Sequence, residues 1–241
     1  MRNYFIQNFI DILRGKKKKP NINIIGENNK IITDKIDLLK FSDVRVNIVG
    51  DNNLIKIDKI FEKGFTGELI IGIKASNCSV NIDKGLHITS KLHININNVS
   101  ETDEELKNVH INIGKNVYIE DIAITTYQSN NNIIVGDNCL FSSGINLYNT
   151  DGHPIYDKDS GHLINYVKDM KIGDNCWIGK NVTILKNVNI PDGTIIGWGA
   201  VVAKSIDKPY CAIAGNPAKI IKENISWKRS GDKDSVKNIK F

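Results

Sequence analysis

The sequence predicts an all-β chain wound as a parallel β-helix. Between Lys171 and Lys204, aliphatic residues recur every six positions, at Ile172, Ile178, Ile184, Ile190, Ile196 and Val202. Four residues after each of the first five stands a small or branched residue: Cys176, Val182, Val188, Thr194 and Ala200. Glycine, proline or polar residues fill most of the gaps. A six-residue step walks around an α-helix and builds no apolar stripe, and one strand of this length is far outside the usual range. A coil with three flat sides satisfies the period. Each hexapeptide is one short strand and one corner, its aliphatic residue points inward, and three hexapeptides make an 18-residue coil.

The 241 residues suffice for one large domain or two small ones, and a solenoid grows linearly. Apolar residues make up 41% and charged residues 24%, the balance of a soluble globular protein. The net charge of +5 suits an anionic ligand and is too small to argue for nucleic acid. Cys78, Cys139, Cys176 and Cys211 are scattered, with no Cys-x-x-Cys pair, and read as buried small hydrophobes in a reducing cytosol. No apolar run approaches the ~20 residues of a membrane span. The N-terminus lacks the apolar core and small-residue cleavage site of a secretory signal, so a cytoplasmic location is expected.

In chain order, residues 1–20 predict a short amphipathic helix and a basic linker. Phe5, Phe9 and Leu13 are spaced by four, with Ile6 and Ile10 beside them; Gly15, Lys16–Lys19 and Pro20 follow. The helix either lies on an anionic membrane face, making peripheral contact through residues 1–19, or packs on the end of the solenoid. Residues 21–222 read as the β-helix. Within it, 21–110 form irregular coils. Ile25-Gly26 to Ile31 is one hexad, Val49-Gly50-Asp51, Ile55 and Phe61 give more, and the 18 positions from Ile31 to Val49 suggest one whole coil. A separate small β domain is the alternative. Alternation at 69–72, 79–83 and 86–97 predicts strands, and the acidic stretch 100–108 a loop. Residues 111–204 carry the regular hexads. Between Leu147 and Ile172 lie 25 positions, not a multiple of six, so the segment near 150–170 must project as a loop. Asp207-Lys208-Pro209 breaks the pattern. Residues 205–222 predict a cap, a short helix or strand after Pro217, and 223–241 a polar tail.

Three further motifs stand in order on this frame: Asp151-Gly152-His153-Pro154 in the projecting loop, Trp177 in the next hexads, and Ala214-Gly215-Asn216-Pro217-Ala218 after them. Together with the hexads they resemble the hexapeptide-repeat, acetyl-CoA-dependent O-acetyltransferases, among them the galactoside and maltose, xenobiotic and bacterial polysaccharide (capsule) enzymes, over roughly residues 110–222. The resemblance implies a left-handed coil, against the usual right-handed crossover. It also implies acetyl-CoA as acyl donor without a metal, a sugar or glycan acceptor, and a homotrimer with active sites between subunits.

Acetyl transfer from a thioester to a hydroxyl needs a base for the attacking alcohol, and a neutral imidazole serves at neutral pH. His153 is the candidate base; its plain alternative is a histidine capping the turn before Pro154. Asp151 either orients that imidazole or only starts the Asp-Gly turn. His162 is a second candidate outside any motif. No side-chain nucleophile with a base partner stands out, which favours direct transfer in a ternary complex. By motif position, the resemblance places Lys180, Trp198, Ala203 and Lys204 along coenzyme A, and Lys219 and Lys222 near its phosphates. Lys180 and Trp198 depart from the family's usual Ser or Ala, and each lysine has the alternative of a solvated charge. Trp177 would wall the acceptor pocket, with Tyr156 and Tyr166 shaping it, or would merely pack at a coil corner. The strand-rich N-terminal half and the basic amphipathic start lean toward a surface polysaccharide or its precursor as acceptor. A small sugar or drug comes second. A non-catalytic or metal-binding β-helix scaffold is the reading from another class, and would need His87, His93 and His110 to converge.

Overall fold

A computed structural model of the chain describes residues 20–33, 41–59, 66–97 and 105–229. The expected N-terminal helix, the linker through Lys19, the acidic stretch 100–104 and the tail beyond Arg229 lie outside them. Every regular element among the described residues is a β-strand, and all strands pair in parallel except in one terminal hairpin.

The strands stack on three flanks of a left-handed parallel β-helix. In the regular coils the first flank holds Leu140–Phe141, Trp177–Ile178 and Ile195–Ile196; the second holds Ile145–Asn149, Thr183–Leu185 and Val201–Val202; the third holds Asn131–Val135, Met170–Ile172 and Asn189–Ile190. The hexad explains this directly. Ile172 pairs with Ile190, Ile178 with Ile196 and Ile184 with Val202, each 18 positions on. All six side chains are buried, and full burial stabilises each by roughly 1.5–3 kcal/mol.

The N-terminal coils are larger. Ile25 pairs with Val49 and Val49 with Lys74, 24 and 25 positions on. There the strands Phe41–Val49, Thr66–Lys74, His87–Asn97 and Tyr118–Thr126 run across the first and second flanks as one. The start of Tyr118–Thr126 leads into Leu140–Phe141, and its end into Ile145–Asn149. The expected 18-residue coil from Ile31 to Val49 is therefore corrected. Ile31 stacks on Ile55 of the third flank, whereas Val49 belongs to the second. Long strands bent around a corner replace two separate hexads, so the coil outgrows 18 residues.

Corner chemistry keeps the coils in register. Gly-Asp-Asn recurs at 136–138 and 173–175, where Asn138 and Asn175 adopt φ of 58° and 54°, a region Asn tolerates. Asp174 Oδ1 accepts the Asp137 N–H at 2.8 Å, and Asp192 Oδ1 accepts the Asp174 N–H at 2.9 Å. A Cβ on Gly136 would fall on Asp174 Oδ1 and 2.7 Å from the Gly173 carbonyl carbon, so only glycine lets the coils approach.

The top of the helix is closed by a hairpin, Ala212–Gly215 against Ala218–Lys222, with the Ala-Gly-Asn-Pro-Ala motif as its turn; the segment after Pro217 is a strand rather than a helix. Residues 223–229 then run back down the first flank. Ile225 N–H donates to the Tyr210 carbonyl (2.9 Å), and Trp227 Nε1 to the Asn175 carbonyl (2.6 Å). The Arg229 guanidinium lies 3.3 Å over Tyr118, which stacks on His87 at 3.9 Å.

Candidate active site

Leu147 pairs with Ile184 and Val135 with Ile172, 37 positions on rather than 18. The surplus leaves the coil after Asn149 and returns at Met170, so residues 150–169 project from the corner between the second and third flanks. Of the eight buried polar side chains among the described residues, five gather at the root of this loop: Thr126, Asn131, Asn149, Thr150 and Asn165. Asn149 Nδ2 donates to Asn131 Oδ1 (3.0 Å) and to the Lys168 carbonyl (3.1 Å), and its Oδ1 accepts the Asn187 N–H (3.1 Å). Gln128 Oε1 accepts the Val167 N–H at 3.0 Å. A buried amide left without partners costs about 1–3 kcal/mol, so the network commits the chain to leave and re-enter the coil here. The sequence carried a signal for it. One inward column reads Ile48, Ile73, Ile96 and then Thr126, Asn149: the core turns polar where the loop begins.

The outer part of the loop is a small hairpin. Tyr156 bridges Leu163, and Ile164 N–H donates to the Ile155 carbonyl at 2.9 Å. The Asp157 carboxylate accepts from Ser160 N–H (2.8 Å) and Ser160 Oγ (2.7 Å), which holds its carboxyl below the usual range. His162 sits exposed on this hairpin.

The inner part carries Asp151-Gly152-His153. Gly152 turns the chain at φ 80°, and its N–H donates to Thr150 Oγ1 at 2.9 Å. The His153 side chain is exposed. The Asp151 carboxylate meets Lys186 Nζ at 3.0 Å and accepts from Asn165 Nδ2 at 2.9 Å. Its contacts are thus to Lys186 and Asn165, not to the imidazole.

The remaining sequence-predicted residues occupy other corners. Lys180 and Trp198 meet between the first and second flanks, with the ammonium 5.2 Å over the ring. Ala203 and Lys204 are exposed beyond the second flank, on the loop's own side, and Lys219 and Lys222 are exposed on the terminal hairpin. Trp177 opens the first flank, partly exposed, its ring 5.9 Å from that of Trp227. Tyr156 and Tyr166 are exposed on the loop. One chain therefore groups His153, Asp151, Tyr156 and Tyr166, and separately Lys180 with Trp198, while Trp177 leaves from the far side of the third flank. Asn165, Lys186 and Trp227 went unnoticed in the sequence because no motif carries them.

His87, His93 and His110 sit on different flanks: His87 stacks on Tyr118, His93 pairs with Ala123, and His110 Nδ1 meets Ser79 Oγ at 2.8 Å on the third. Among the described residues no group of three or more His, Cys, Asp or Glu is placed to hold a metal. All four cysteines are free and buried, Cys139 and Cys176 in equivalent slots as their shared Gly-Asp-Asn-Cys context predicts.

The family model for the bacterial transferase hexapeptide (six repeats) matches residues 169–204. The polysialic acid O-acetyltransferase of Escherichia coli O1:K1 / APEC is 42% identical over 109 residues, 45% of this chain and 35% of that protein. The polysialic acid O-acetyltransferase of Neisseria meningitidis is 43% identical over 97 residues, 40% of this chain and 45% of that protein. The chain thus spans less than half the length of these two curated relatives. The crystal structure of the polySia-specific acetyltransferase NeuO superposes with a TM-score of 0.55, covering 89% of this chain and 91% of that one at 26% identity. The hexads at 169–204 carry the family match, and through these likenesses the chain is similar to the hexapeptide-repeat O-acetyltransferases.

Proposed function

We propose that the protein moves an acetyl group from acetyl-CoA to a hydroxyl of a sugar, in a polysialic acid or a related surface glycan. The observation that carries this is the loop 150–169, rooted in a buried amide network and presenting an exposed imidazole at His153. His153 takes the hydroxyl proton as the alcohol oxygen attacks the thioester carbonyl. The new C–O ester bond forms, the C–S bond breaks, and the proton passes to the departing thiolate. Lys180, Trp198, Ala203, Lys204, Lys219 and Lys222 form the donor side; their exposed cations suit the phosphates of coenzyme A. Trp177, Tyr156 and Tyr166 form the acceptor side. Because His153 and Trp177 leave one chain at different corners, the working unit is a homotrimer with sites between subunits. No helix among the described residues is long and apolar enough to cross a membrane. We place the reaction in the cytoplasm, which suits a thioester donor and four free thiols.

The test is thiol release from acetyl-CoA with polysialic acid, free sialic acid and simple galactosides as acceptors. Acceptor-dependent release that falls by about 10²–10⁴-fold in His153→Ala supports the assignment. Turnover undiminished in that variant removes His153 as the base and shifts attention to His162.

A further inference from the structure

We infer that Asn165 is a positioning residue for His153, resting on the proposed role of that histidine. Asn165 is 5% exposed, and its one amide binds the histidine turn at three points. Nδ2 donates to Asp151 Oδ2 (2.9 Å) and to the His153 carbonyl (2.9 Å), and Oδ1 accepts the Ile155 N–H (2.8 Å). Both amide protons and one of the two acceptor lone pairs are used. The three partners are the residue two before the histidine, the histidine itself and the residue two after it. Lys186, on the neighbouring coil, completes the knot: its Nζ pairs with Asp151 Oδ2 at 3.0 Å and donates to the Asn165 carbonyl at 3.2 Å.

A projecting loop is a soft place for a general base, and a displacement near 1 Å costs on the order of 10²-fold in rate. Asn165 removes that softness. It returns from the far arm of the loop, ten residues after Ile155, so the outer hairpin closes onto the inner turn. Asp151, for which the sequence left open orienting the imidazole or starting the turn, serves as the point where Asn165 and Lys186 hold the turn to the coil.

The experiment compares wild type, Asn165→Ala, Asn165→Asp, the double variant Asp151→Asn/Asn165→Asp, and His153→Ala. Kinetics use acetyl-CoA with polysialic acid, alongside thermal unfolding and hydrogen exchange at the Ile155 amide. Asn165→Asp keeps the acceptor for Ile155 but loses both donors and sets two carboxylates together. The double variant restores an amide–carboxylate pair with the roles exchanged. Expected are a kcat about 10²-fold lower in Asn165→Ala, a KM for acetyl-CoA within about twofold of wild type, and partial recovery in the double variant relative to Asn165→Asp. The Ile155 amide exchanges faster in Asn165→Ala while the folded protein persists. Wild-type kcat in Asn165→Ala beside an inactive His153→Ala overturns the positioning role and leaves the base intact. Full activity in His153→Ala overturns His153 as the base instead and leaves the reaction assignment standing. If wild type transfers nothing, that assignment fails, and unchanged Ile155 protection in Asn165→Ala removes the knot independently.

Discussion

At the scale of single residues, inward slots decide chemistry as well as packing. Burial pushes the Cys78 thiol up to about 11 and raises that of Cys211, while the Cys139 thiol is raised first by its hydrogen bond with Cys176 and then by burial. A thiol whose folded pKa lies above its unfolded value favours the protonated, folded form. Its stabilisation is complete below the unfolded value near 9 and is lost as pH rises toward the folded one. Denaturation midpoints should therefore fall as pH climbs from about 9 to 11, and the part due to Cys78 should vanish in Cys78→Ala. A disulfide-exchange reagent at pH 8 should find the native thiols nearly silent, with all four titrating after denaturation. Rapid reaction of the native protein would show that the slots open, and would also contaminate any thiol-release assay. The glycines act at the same scale: Gly136 exists for the Asp174 carboxylate that ties its coil to the next.

At the scale of elements, the returning segment 223–229 is the addition that composition conceals. Its residues look like a polar tail, yet Trp227 lies against Trp177 and donates to the Asn175 carbonyl, and Arg229 caps the Tyr118–His87 stack. Trp227→Ala should free this strap. The Ile225 amide, bonded to the Tyr210 carbonyl, should exchange on the order of tenfold faster, a loss of about 1.4 kcal/mol locally, while amides of the inner coils keep their protection. Equal exchange in variant and wild type would mean that the strap is held by its backbone alone. The hexads from Ile172 to Val202 were legible because every corner there recurs at a fixed step. The coils before Tyr118 were legible only as irregular coils with alternating strands, because one strand of nine to eleven residues bends across two flanks and erases the step. The loop was legible as a break in phase and His153 through its motif. Asn165 and Lys186 were not, since their partners come from distant turns of the chain that only the folded register brings together.

At the scale of the whole molecule, the three-sided coil sets what one chain can and cannot assemble. The histidine loop leaves between the second and third flanks, and Trp177 stands where the third flank meets the first. A full flank separates them in one chain. On the loop, Ile155, Tyr156, Ile164 and Tyr166 are 48%, 56%, 59% and 62% exposed, an apolar surface that a neighbouring copy would cover. In solution the mass should be three times the 26.9 kDa of one chain, and Ile164→Asp should shift it toward monomers with loss of transfer. Complementation then separates a shared site from a merely associated one. Neither His153→Ala nor Trp177→Ala homotrimers should support full transfer. If each site takes its histidine from one subunit and its tryptophan from the next, random mixing in equal amounts leaves about a quarter of the sites with both. Mixed, reassembled protein should recover activity on that scale. Trimers that form but recover nothing on mixing would place the histidine and its acceptor wall on the same chain, and would strip Trp177 of its role at the site.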